Sequence, residues 1–369
     1  MSTTDHAWMA LALQLARKGL YSTHPNPRVG CVIVKDGELV GEGWHVRAGE
    51  PHAEVHALRQ AGERARGATA YVTLEPCSHY GRTPPCAEAL VKADVGRVVV
   101  AMQDPNPQVA GRGLDRLRGA GIEVASGVLE ADARALNLGF IKRMETGLPY
   151  LRAKLAMSLD GRTAMASGES QWITGPAARA EVQRLRAQSS VVLTGADTVL
   201  MDSARLTVRE AELGLDAEMI ALAMERPPLR VLVDGQLRVP LDAPFFRSGS
   251  ALVASARSEP AEEYRAAGHE LLTLRGDAGR VDLQALLREL AARGANEVLL
   301  EAGPRLAGAF AALGLIDEYQ VFVAAKFLGS AAQPLLDLPL ERMSEARELH
   351  IKDIRAVGDD WKIIAVPVS

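Results

Sequence analysis

The sequence predicts an α/β protein with two domains, and three observations lead to this class. Short apolar runs typical of buried strands alternate with stretches of helical periodicity along most of the chain. The length of 369 residues suits two domains of ordinary size. A polar stretch with glycine and proline, residues 145–149, interrupts the alternation, and a strand pattern restarts at Tyr150. We therefore predict domains at residues 1–146 and 147–369.

The first domain is predicted to open with a helix and a β-hairpin. Polar residues 3–5 can cap a helix whose apolar positions recur at helical spacing up to Gly19. An Asp-Gly turn at residues 36–37 joins the apolar runs 29–34 and 38–43, which is a strong local hairpin signal. The alternation continues with predicted helices at 53–64, 86–93, 111–119 and 130–143 and predicted strands at 70–74, 95–101 and 122–125.

The second domain repeats the α/β pattern. Residues 209–226 are predicted to leave the sheet as an excursion that Pro227-Pro228 closes. The predicted strands are 191–193, 229–233, 251–254, 298–300 and 319–323, and the predicted helices are 177–188, 282–293 and 304–313.

Composition and charge exclude several classes of protein. Apolar residues make up 48% of the chain and charged residues 24%, which is typical of a folded globular protein. The formal net charge of -4 has the wrong sign for a nucleic-acid partner, so we expect none. No apolar run is long enough to span a membrane, and the first 20 residues lack the pattern of a signal peptide. We expect a cytoplasmic protein with no membrane partner.

The metal-binding residue types are concentrated at one end of the chain. All three cysteines and six of the eight histidines lie within the first 86 residues, and so few cysteines argue against a disulfide framework. His52 stands at a predicted helix start, Cys77 follows a strand, and Cys86 begins the next helix. One imidazole and two thiolates leave a fourth position of tetrahedral zinc for water, as in catalytic sites. Zinc lowers the pKa of its water to about 7, and Glu54 would move the water's proton to a leaving amine.

The spacing of these residues follows the signature of zinc deaminases with one difference. That signature is H-x-E followed by P-C-x-x-C, and here eight residues instead of two separate Cys77 from Cys86. A loop over residues 78–85 would still allow Cys86 to bind at a helix N-terminus, where the dipole favours thiolate.

Two other metal sites remain as alternatives. A zincin metalloprotease needs glutamate directly after the first histidine, where Ala53 stands. A closed structural zinc site would take His79 or His56 as its fourth ligand, but such a site has no use for Glu54. Cys31, inside a predicted strand, is interpreted as a small core residue.

The second half carries two weaker signals. Residues 154–164 predict a strand that breaks into a polar turn, and residues 301–308 predict a strand followed by a glycine-rich helix start. Unpaired N–H groups at such a start can receive a phosphate, although most turns of this kind are ordinary connections. A G-x-G-x-x-G fingerprint and a Walker lysine are both missing from the sequence, so neither a Rossmann site nor ATP hydrolysis is indicated.

Four segments of the first half together carry a family resemblance: 24–34, 43–45, 49–58 and 73–86, the last reading TLEPCSHYGRTPPC. They resemble the deaminase domain of the bifunctional riboflavin-biosynthesis deaminase/reductase family, in which the eight-residue spacer is the form of the second zinc motif. The resemblance implies a cytidine-deaminase-like fold. It also implies a free phosphorylated ribosylaminopyrimidine as substrate, with Asn26 and His45 lining its pocket.

The second half is similar to the reductase of the same family, over residues 154–164, 167–174, 185–188, 198–202, 206–209 and 301–308. This resemblance implies a fold like dihydrofolate reductase and NADPH as cofactor. The implied NADPH contacts are Ala156, Trp172, Thr198, Asp202, Gly235, Gly303, Pro304, Arg305, Leu306, Ala307 and Gly308. The implied substrate contacts are Ser170, Arg186, Leu206, Arg209 and Glu301, where the fixed fork of arginine suits a phosphate.

One position departs from the family, because Ser203-Ala204 stands where Asp-Pro usually follows Asp202.

The predicted function is zinc-dependent deamination of the diaminopyrimidine, followed by NADPH reduction of its ribosyl group to ribityl. We expect a homo-oligomer. The alternatives are a zinc deaminase for another base with an unrelated reductase, and a zinc-stabilised regulatory module, against which Glu54 argues.

Overall fold

The computed structural model describes residues 3–78, 80, 85–107 and 109–368. The chain divides into two compact units, Met1–Leu148 and Pro149–Ser369. Within the described residues, no helix has both the length and the apolar character that crossing a membrane requires.

The first unit is built on a five-stranded sheet in the order β2-β1-β3-β4-β5. β1 is antiparallel to β2 and β3, whereas β3, β4 and β5 are parallel. Its elements are α1 (Thr3–Arg17), β1 (Gly30–Lys35), β2 (Glu38–Trp44), α2 (Ala53–Ala61), β3 (Thr69–Val72), α3 (Cys86–Lys92), β4 (Arg97–Val100), α4 (Arg112–Gly119), β5 (Glu123–Ser126), α5 (Glu130–Leu136) and α6 (Leu138–Thr146).

Helices cover both faces of this sheet. Alternate residues of β1 belong to two different apolar clusters, because successive side chains of a strand point to opposite faces. Cys31 packs with Ala57 of α2 in one cluster, and Val32 packs with Met9 of α1 in the other. Cys31 is completely buried, which confirms it as a core residue.

Glycines allow α2 to lie directly against β2. A Cβ atom added to Gly43 would stand 2.5 Å from the carbonyl oxygen of Ala53 and 2.6 Å from Cβ of His56. A Cβ on Gly41 would likewise stand 2.2 Å from the carbonyl oxygen of Ala57. These glycines therefore set the position of the first turn of α2, which carries Glu54.

The second unit contains a nine-stranded sheet in the order β11-β10-β9-β8-β12-β6-β13-β16-β15. Its strands are parallel from β11 to β13, and β16 and β15 add an antiparallel hairpin. The strands of this sheet are β6 (Tyr150–Ser158), β8 (Val191–Gly195), β9 (Leu229–Val233), β10 (Leu252–Ser255), β11 (Glu270–Thr273), β12 (Glu297–Leu300), β13 (Glu318–Ala324), β15 (Leu349–Val357) and β16 (Asp360–Pro367). A separate two-stranded antiparallel sheet is formed by β7 (Arg162–Ala164) and β14 (Gln333–Pro334). The helices are α7 (Pro176–Gln188), α8 (Ala196–Asp202), α9 (Ala217–Glu225), α10 (Pro244–Arg247), α11 (Ala261–Ala266), α12 (Leu283–Ala292) and α13 (Pro304–Ala312).

The predicted strands and helices are present, with ends that shift by a few residues, except that the single helix predicted at 130–143 is two helices, α5 and α6, separated by the non-helical Asn137. The prediction for residues 209–226 was incomplete, because this excursion from the sheet contains the helix α9. The N-cap of α9 is Asp216, which accepts a 2.8 Å hydrogen bond from the Met219 N–H. The hairpin of β15 and β16 was not predicted. Almost every residue of β15 is exposed, so the strand lacks the alternating burial that produces a sequence signal.

We predict that Gly43→Ala lowers the stability of the first unit by about 1–3 kcal/mol, because the added methyl group must displace the start of α2. Thermal unfolding of the full chain measures this. Gly119→Ala is the matched control, since a Cβ there meets no atom within 4 Å. Equal unfolding temperatures for the two variants would contradict the close packing of α2 on β2.

Candidate functional site

Three predicted metal ligands meet in the first unit. His52 is the N-cap of α2, Cys77 follows β3, and Cys86 is the first residue of α3. Their ligand atoms lie within 4.8 Å of one another. Nδ1 of His52 is 3.6 Å from Sγ of Cys77 and 3.3 Å from Sγ of Cys86. Zinc–nitrogen and zinc–sulfur bonds of ordinary length in a tetrahedron require about 3.6 Å between such atoms, so the donors fit zinc.

The thiol of Cys77 is prepared for metal binding. The backbone N–H of Cys86 donates to Sγ of Cys77 over 3.3 Å. Hydrogen bonding from the Cys86 thiol lowers the pKa of Cys77 to about 4, and His52 contributes in the same direction. Thiolate is the form of cysteine that binds metal, and this environment favours it at neutral pH.

Glu54 lies beside the three ligands as a buried carboxyl group. Its side chain is 3% exposed, and Oε2 has no hydrogen-bond partner among the described residues. Burial raises the pKa of Glu54. A buried carboxyl group with one oxygen free of hydrogen bonds and a raised pKa is suited to take up and release a proton, as general acid–base catalysis requires.

Asn26 and His45 contact each other beside the ligands. Nε2 of His45 is 3.0 Å from Nδ2 of Asn26, and Nδ1 is 3.2 Å from the carbonyl oxygen of Pro51. Nδ1 therefore carries the proton, and Nε2 accepts from the amide. Burial lowers the pKa of His45 to about 4, so the ring stays neutral, and it meets the His52 ring edge-on at 5.1 Å.

Glu75 is a functional residue that the sequence reasoning missed. Its buried carboxylate accepts hydrogen bonds of 2.9–3.4 Å from four backbone N–H groups between residues 104 and 114. It lies two residues before Cys77, and a Cβ on Gly113 would stand 2.1 Å from the Pro76 carbonyl oxygen. Glu75 thus fixes the segment that carries Cys77. The sequence feature that could have indicated this role of Glu75 is its position as a charged residue at the end of an apolar strand.

The alternative of a closed zinc site finds no fourth ligand in the described part of the chain. His56 is outside the cluster, and its Nε2 is buried against neighbouring atoms. The other proposed fourth ligand, His79, lies outside the described residues.

The second unit contains a cavity of about 1220 Å³. It extends along the carboxyl ends of β8, β9 and β12 and along β6. Of the second-half residues predicted to contact NADPH or substrate, all but one line it: Ala156, Ser170, Trp172, Arg186, Thr198, Asp202, Leu206, Arg209, Gly235, Glu301, Gly303, Pro304, Arg305, Leu306 and Gly308. The exception is Ala307, which is completely buried and does not line the cavity.

The start of α13 faces this cavity. Gly303 is its N-cap, and the Gly303 N–H donates to Oγ1 of Thr198 over 3.2 Å. Gly308 lines the cavity and also packs against a neighbouring segment, because a Cβ there would stand 2.0 Å from the carbonyl oxygen of Asp337. Only a glycine leaves room for that segment.

A buried ion pair lies at the β6 and β12 end of the cavity. Nε and Nη2 of Arg186 bind the two carboxylate oxygens of Glu301 at 2.6 and 3.0 Å, and Nη1 donates to the Thr207 carbonyl oxygen at 2.9 Å. All three nitrogen atoms of the Arg186 guanidinium group therefore already donate to acceptors within the protein. Lys154, which sequence reasoning did not select, also lines the cavity, and burial lowers its pKa. Its position in a strand otherwise read as apolar was the available signal.

The segment with the unusual Ser203-Ala204 pair is held by Asp202. Oγ of Ser170 donates to Oδ1 of Asp202 over 2.6 Å, and Nε2 of Gln171 donates to the Asp202 carbonyl oxygen over 3.3 Å. Ser203 takes a left-handed conformation with φ 51° and ends α8. The loop therefore closes on Asp202 without the usual Asp-Pro pair.

Family comparisons match both parts of the chain. Residues 2–102 match the family described as the cytidine and deoxycytidylate deaminase zinc-binding region. Residues 149–363 match the family described as the RibD C-terminal domain.

Similar proteins extend over nearly the whole chain. The riboflavin biosynthesis protein RibD of Escherichia coli K12 is 55% identical over 96% of this chain and 97% of its own length. That of Haemophilus influenzae is 46% identical over 99% and 98%. The solved structure of Acinetobacter baumannii RibD, form 1, has a TM-score of 0.91 at 49% identity, covering 99% of each chain. A deaminase/reductase from Thermotoga maritima, described as a diaminohydroxyphosphoribosylaminopyrimidine deaminase/5-amino-6-(5-phosphoribosylamino)uracil reductase, has a TM-score of 0.86 at 33% identity, covering 99% of each chain.

We predict that Cys77→Ser loses bound zinc, because a hydroxyl group replaces a thiolate ligand. Glu54→Gln is expected to retain about one zinc per chain, since the amide removes a proton carrier and no ligand. Metal analysis of the purified proteins measures both. Cys31→Ser is the matched control for a cysteine outside the cluster. Zinc retained by Cys77→Ser would contradict the ligand set.

Proposed function

The chain belongs to the RibD family of bifunctional riboflavin-biosynthesis enzymes, and from this premise we propose which residues perform each reaction. The predicted fold class and function are confirmed at the level of the family: a cytidine-deaminase-like domain precedes a RibD-type reductase domain. The enzyme hydrolyses the 2-amino group of 2,5-diamino-6-(5-phosphoribosylamino)pyrimidin-4(3H)-one. It then uses NADPH to form 5-amino-6-(5-phosphoribitylamino)uracil. Zinc and NADPH are the cofactors.

We propose that residues 1–146 perform the deamination and residues 147–369 the reduction. The observation that carries the first assignment is a cluster of three ligands beside a buried carboxyl group whose Oε2 has no hydrogen-bond partner among the described residues. A structural zinc site has no need of such a carboxyl group. His52, Cys77 and Cys86 would hold zinc, which would supply a water activated as a nucleophile at neutral pH.

Glu54 moves the protons in the proposed deamination. Its carboxylate takes a proton from the attacking water and gives it to the 2-amino group, which leaves as ammonia. Burial keeps Glu54 out of bulk water and raises its pKa, so both steps are possible near neutral pH. Neutral His45 and Asn26 orient the pyrimidine by hydrogen bonds, because their pairing fixes the direction of the amide group.

The cavity of the second unit holds NADPH and the deaminated substrate in this proposal. The start of α13 offers backbone N–H groups to the pyrophosphate. Thr198 lies in the first turn of α8, directly after β8, and Gly235 follows the adjacent strand β9. NADPH held in this cavity would supply the hydride for C1′ of the ribosyl group, whose C1′–O4′ bond would break in the reduction.

Lys154 is proposed as the donor of the proton that O4′ then needs. It lies near the pair of Arg186 and Glu301, and burial lowers its pKa, which makes its ammonium group a better acid. Glu301 is held in place by Arg186 and is left to contact the substrate on its remaining side. Arg209 offers a more exposed guanidinium group to the phosphate.

We also propose that the chain works as a homo-oligomer in the cytoplasm, on a free pyrimidine and without nucleic acid. All three cysteines are free, and two thiolate ligands suit a reducing compartment. The antiparallel hairpin at the end of the sheet exposes large apolar side chains, including Ile351 at 51%, Ile354 at 52% and Trp361 at 53%. β15 is also an edge strand of this sheet, so a second copy would cover both features.

We predict that Glu54→Gln slows ammonia release by about 10²–10⁴-fold, because the proton carrier is lost. Ammonia is measured with the diaminopyrimidine phosphate as substrate and no NADPH. Glu63→Gln, at an exposed glutamate beyond α2, is the control and should match the unaltered enzyme. Normal ammonia release by Glu54→Gln would overturn the assignment.

We predict that Arg186→Ala slows NADPH oxidation by about tenfold or more when the deaminated pyrimidine is supplied, because Glu301 loses its charged partner. Ammonia release from the diaminopyrimidine should stay unchanged in the same protein. Arg184→Ala, on the same helix, serves as control for the loss of one charge. Loss of ammonia release in Arg186→Ala would refute separate sites.

We predict that the double variant Ile351→Lys/Ile354→Lys shifts the protein to monomer, because charge on the hairpin opposes its burial. Sedimentation velocity measures the change. Leu313→Lys, at an apolar side chain that is 60% exposed at the end of α13, is the control. A monomeric unaltered protein, or a double variant that remains oligomeric, would reject this surface.

A further inference from the structure

Arginine side chains are gathered at the β9 and β10 end of the second unit's cavity. Arg238 lines the cavity, and its Nη2 binds Oδ1 of Asp197 at 2.8 Å. Arg280 lines it from the loop before α12. Arg257, which follows β10, does not line the cavity itself, but its Nε donates to Oε1 of the lining residue Gln236 over 3.1 Å. This end therefore concentrates positive charge on three separate segments.

Gln236 joins these segments. While Oε1 accepts from Arg257, Nε2 donates to the carbonyl oxygen of Gly279 over 3.2 Å, and Arg280 is the next residue. One amide group thus holds the strand end that bears Arg257 close to the loop that bears Arg280. The cluster is a connected structure rather than a chance grouping of exposed side chains.

This positive charge is only partly balanced by carboxylates, since Asp197 is the partner of Arg238 alone among the three arginines. Among the described residues, no carboxylate lies within 4.0 Å of the guanidinium groups of Arg257 or Arg280. Asp197 is shared, because its second oxygen lies 3.4 Å from Nη2 of Arg305. An anion entering this end of the cavity would meet guanidinium groups that have donors to spare.

The carboxylate nearest to Gln236 in the sequence, that of Asp234, does not line the cavity. Asp234 directly follows β9, its side chain is 1% exposed, and its Oδ2 accepts a hydrogen bond from the Val239 N–H over 2.8 Å. The side chain that reaches the cavity instead is the neutral Gln236. In nicotinamide enzymes an acidic residue at the adenosine ribose binds the 2′-hydroxyl of NADH, whereas arginine there accepts the 2′-phosphate of NADPH.

The proposed position of the cofactor brings its adenosine to this end. Its pyrophosphate lies at the start of α13, which follows β12, and its nicotinamide points towards Lys154 on β6. The adenosine then extends the other way, past β8 to β9. Three strand spacings separate β6 from β9, roughly 14 Å at about 4.8 Å each. The 2′-phosphate would therefore reach Gln236 and its arginine neighbours.

We propose that Arg238, Arg257 and Arg280, organised by Gln236, bind the 2′-phosphate of NADPH and so set the preference for NADPH over NADH. This inference rests on the proposed NADPH site in the cavity. The phosphate carries a charge of about -1.5 to -2 at pH 7 and three acceptor oxygens, which match guanidinium donors from several sides.

The test is calorimetric binding of two fragments to the full chain, 2′,5′-ADP with the phosphate and 5′-AMP without it. Arg257→Ala/Arg280→Ala should weaken 2′,5′-ADP binding by about 10–100-fold and change 5′-AMP binding less than twofold. Arg288→Ala is the matched control, because it removes an exposed arginine of α12 that does not line the cavity. Unchanged 5′-AMP binding also shows that the double variant is folded.

A second variant tests the same site by adding charge. Gln236→Glu should weaken 2′,5′-ADP binding through repulsion and spare 5′-AMP, and the ratio of NADPH to NADH affinity should fall with it. Equal loss of both fragments, or no loss of 2′,5′-ADP in either variant, would overturn this inference while leaving the cofactor site in place. An unaltered protein that binds neither NADPH nor NADH would overturn the proposed cofactor site itself.

Discussion

The metal cluster of the first unit depends on one constraint, the close contact between the start of α2 and the β-hairpin beside it. His52 and Glu54 both belong to this start, and any shift of α2 moves them together. Gly43 permits the contact, because a single added methyl group would collide with the Ala53 backbone. Glu75 performs the complementary task by fixing the segment before Cys77 through four backbone hydrogen bonds. The ligands come from separate segments, so the sheet has to hold each within a few tenths of an ångström.

The second unit meets the same requirement with buried charge. Arg186 and Glu301 bring a helix and a strand end together through two short hydrogen bonds, and Lys154 lies on the neighbouring strand. Removing one partner of a buried pair costs about 3–5 kcal/mol, because the other charge is left unpaired. Such groups are retained where they serve a ligand, and here they line the cavity. At the β9 end of the same cavity, the proposed role of Arg238, Arg257 and Arg280 is to bind another charged group of the cofactor, its 2′-phosphate.

Much of this could be predicted from the sequence, because strands and helix starts leave local signals. Pro76-Cys77 and Pro85-Cys86 mark an element end and an element start, so the ligand set was predictable despite its long spacer. Long-range pairings have no such signal. Nothing local connects Arg186 to Glu301, Glu75 to residues 104–114, or Gly308 to the backbone of Asp337 that packs against it. The exposed hairpin was missed for the opposite reason, since without burial its residues lack periodicity.

The most direct test of the account is to identify the products that the unaltered enzyme forms from the diaminopyrimidine phosphate, first without NADPH and then after its addition. The account predicts ammonia and the ribosyl uracil derivative alone in the first stage, because deamination needs only the first unit. The ribityl derivative should follow with NADPH, in equal amount to the NADPH oxidised. Reduction before deamination, or no ammonia until NADPH is added, would contradict two chemically independent sites.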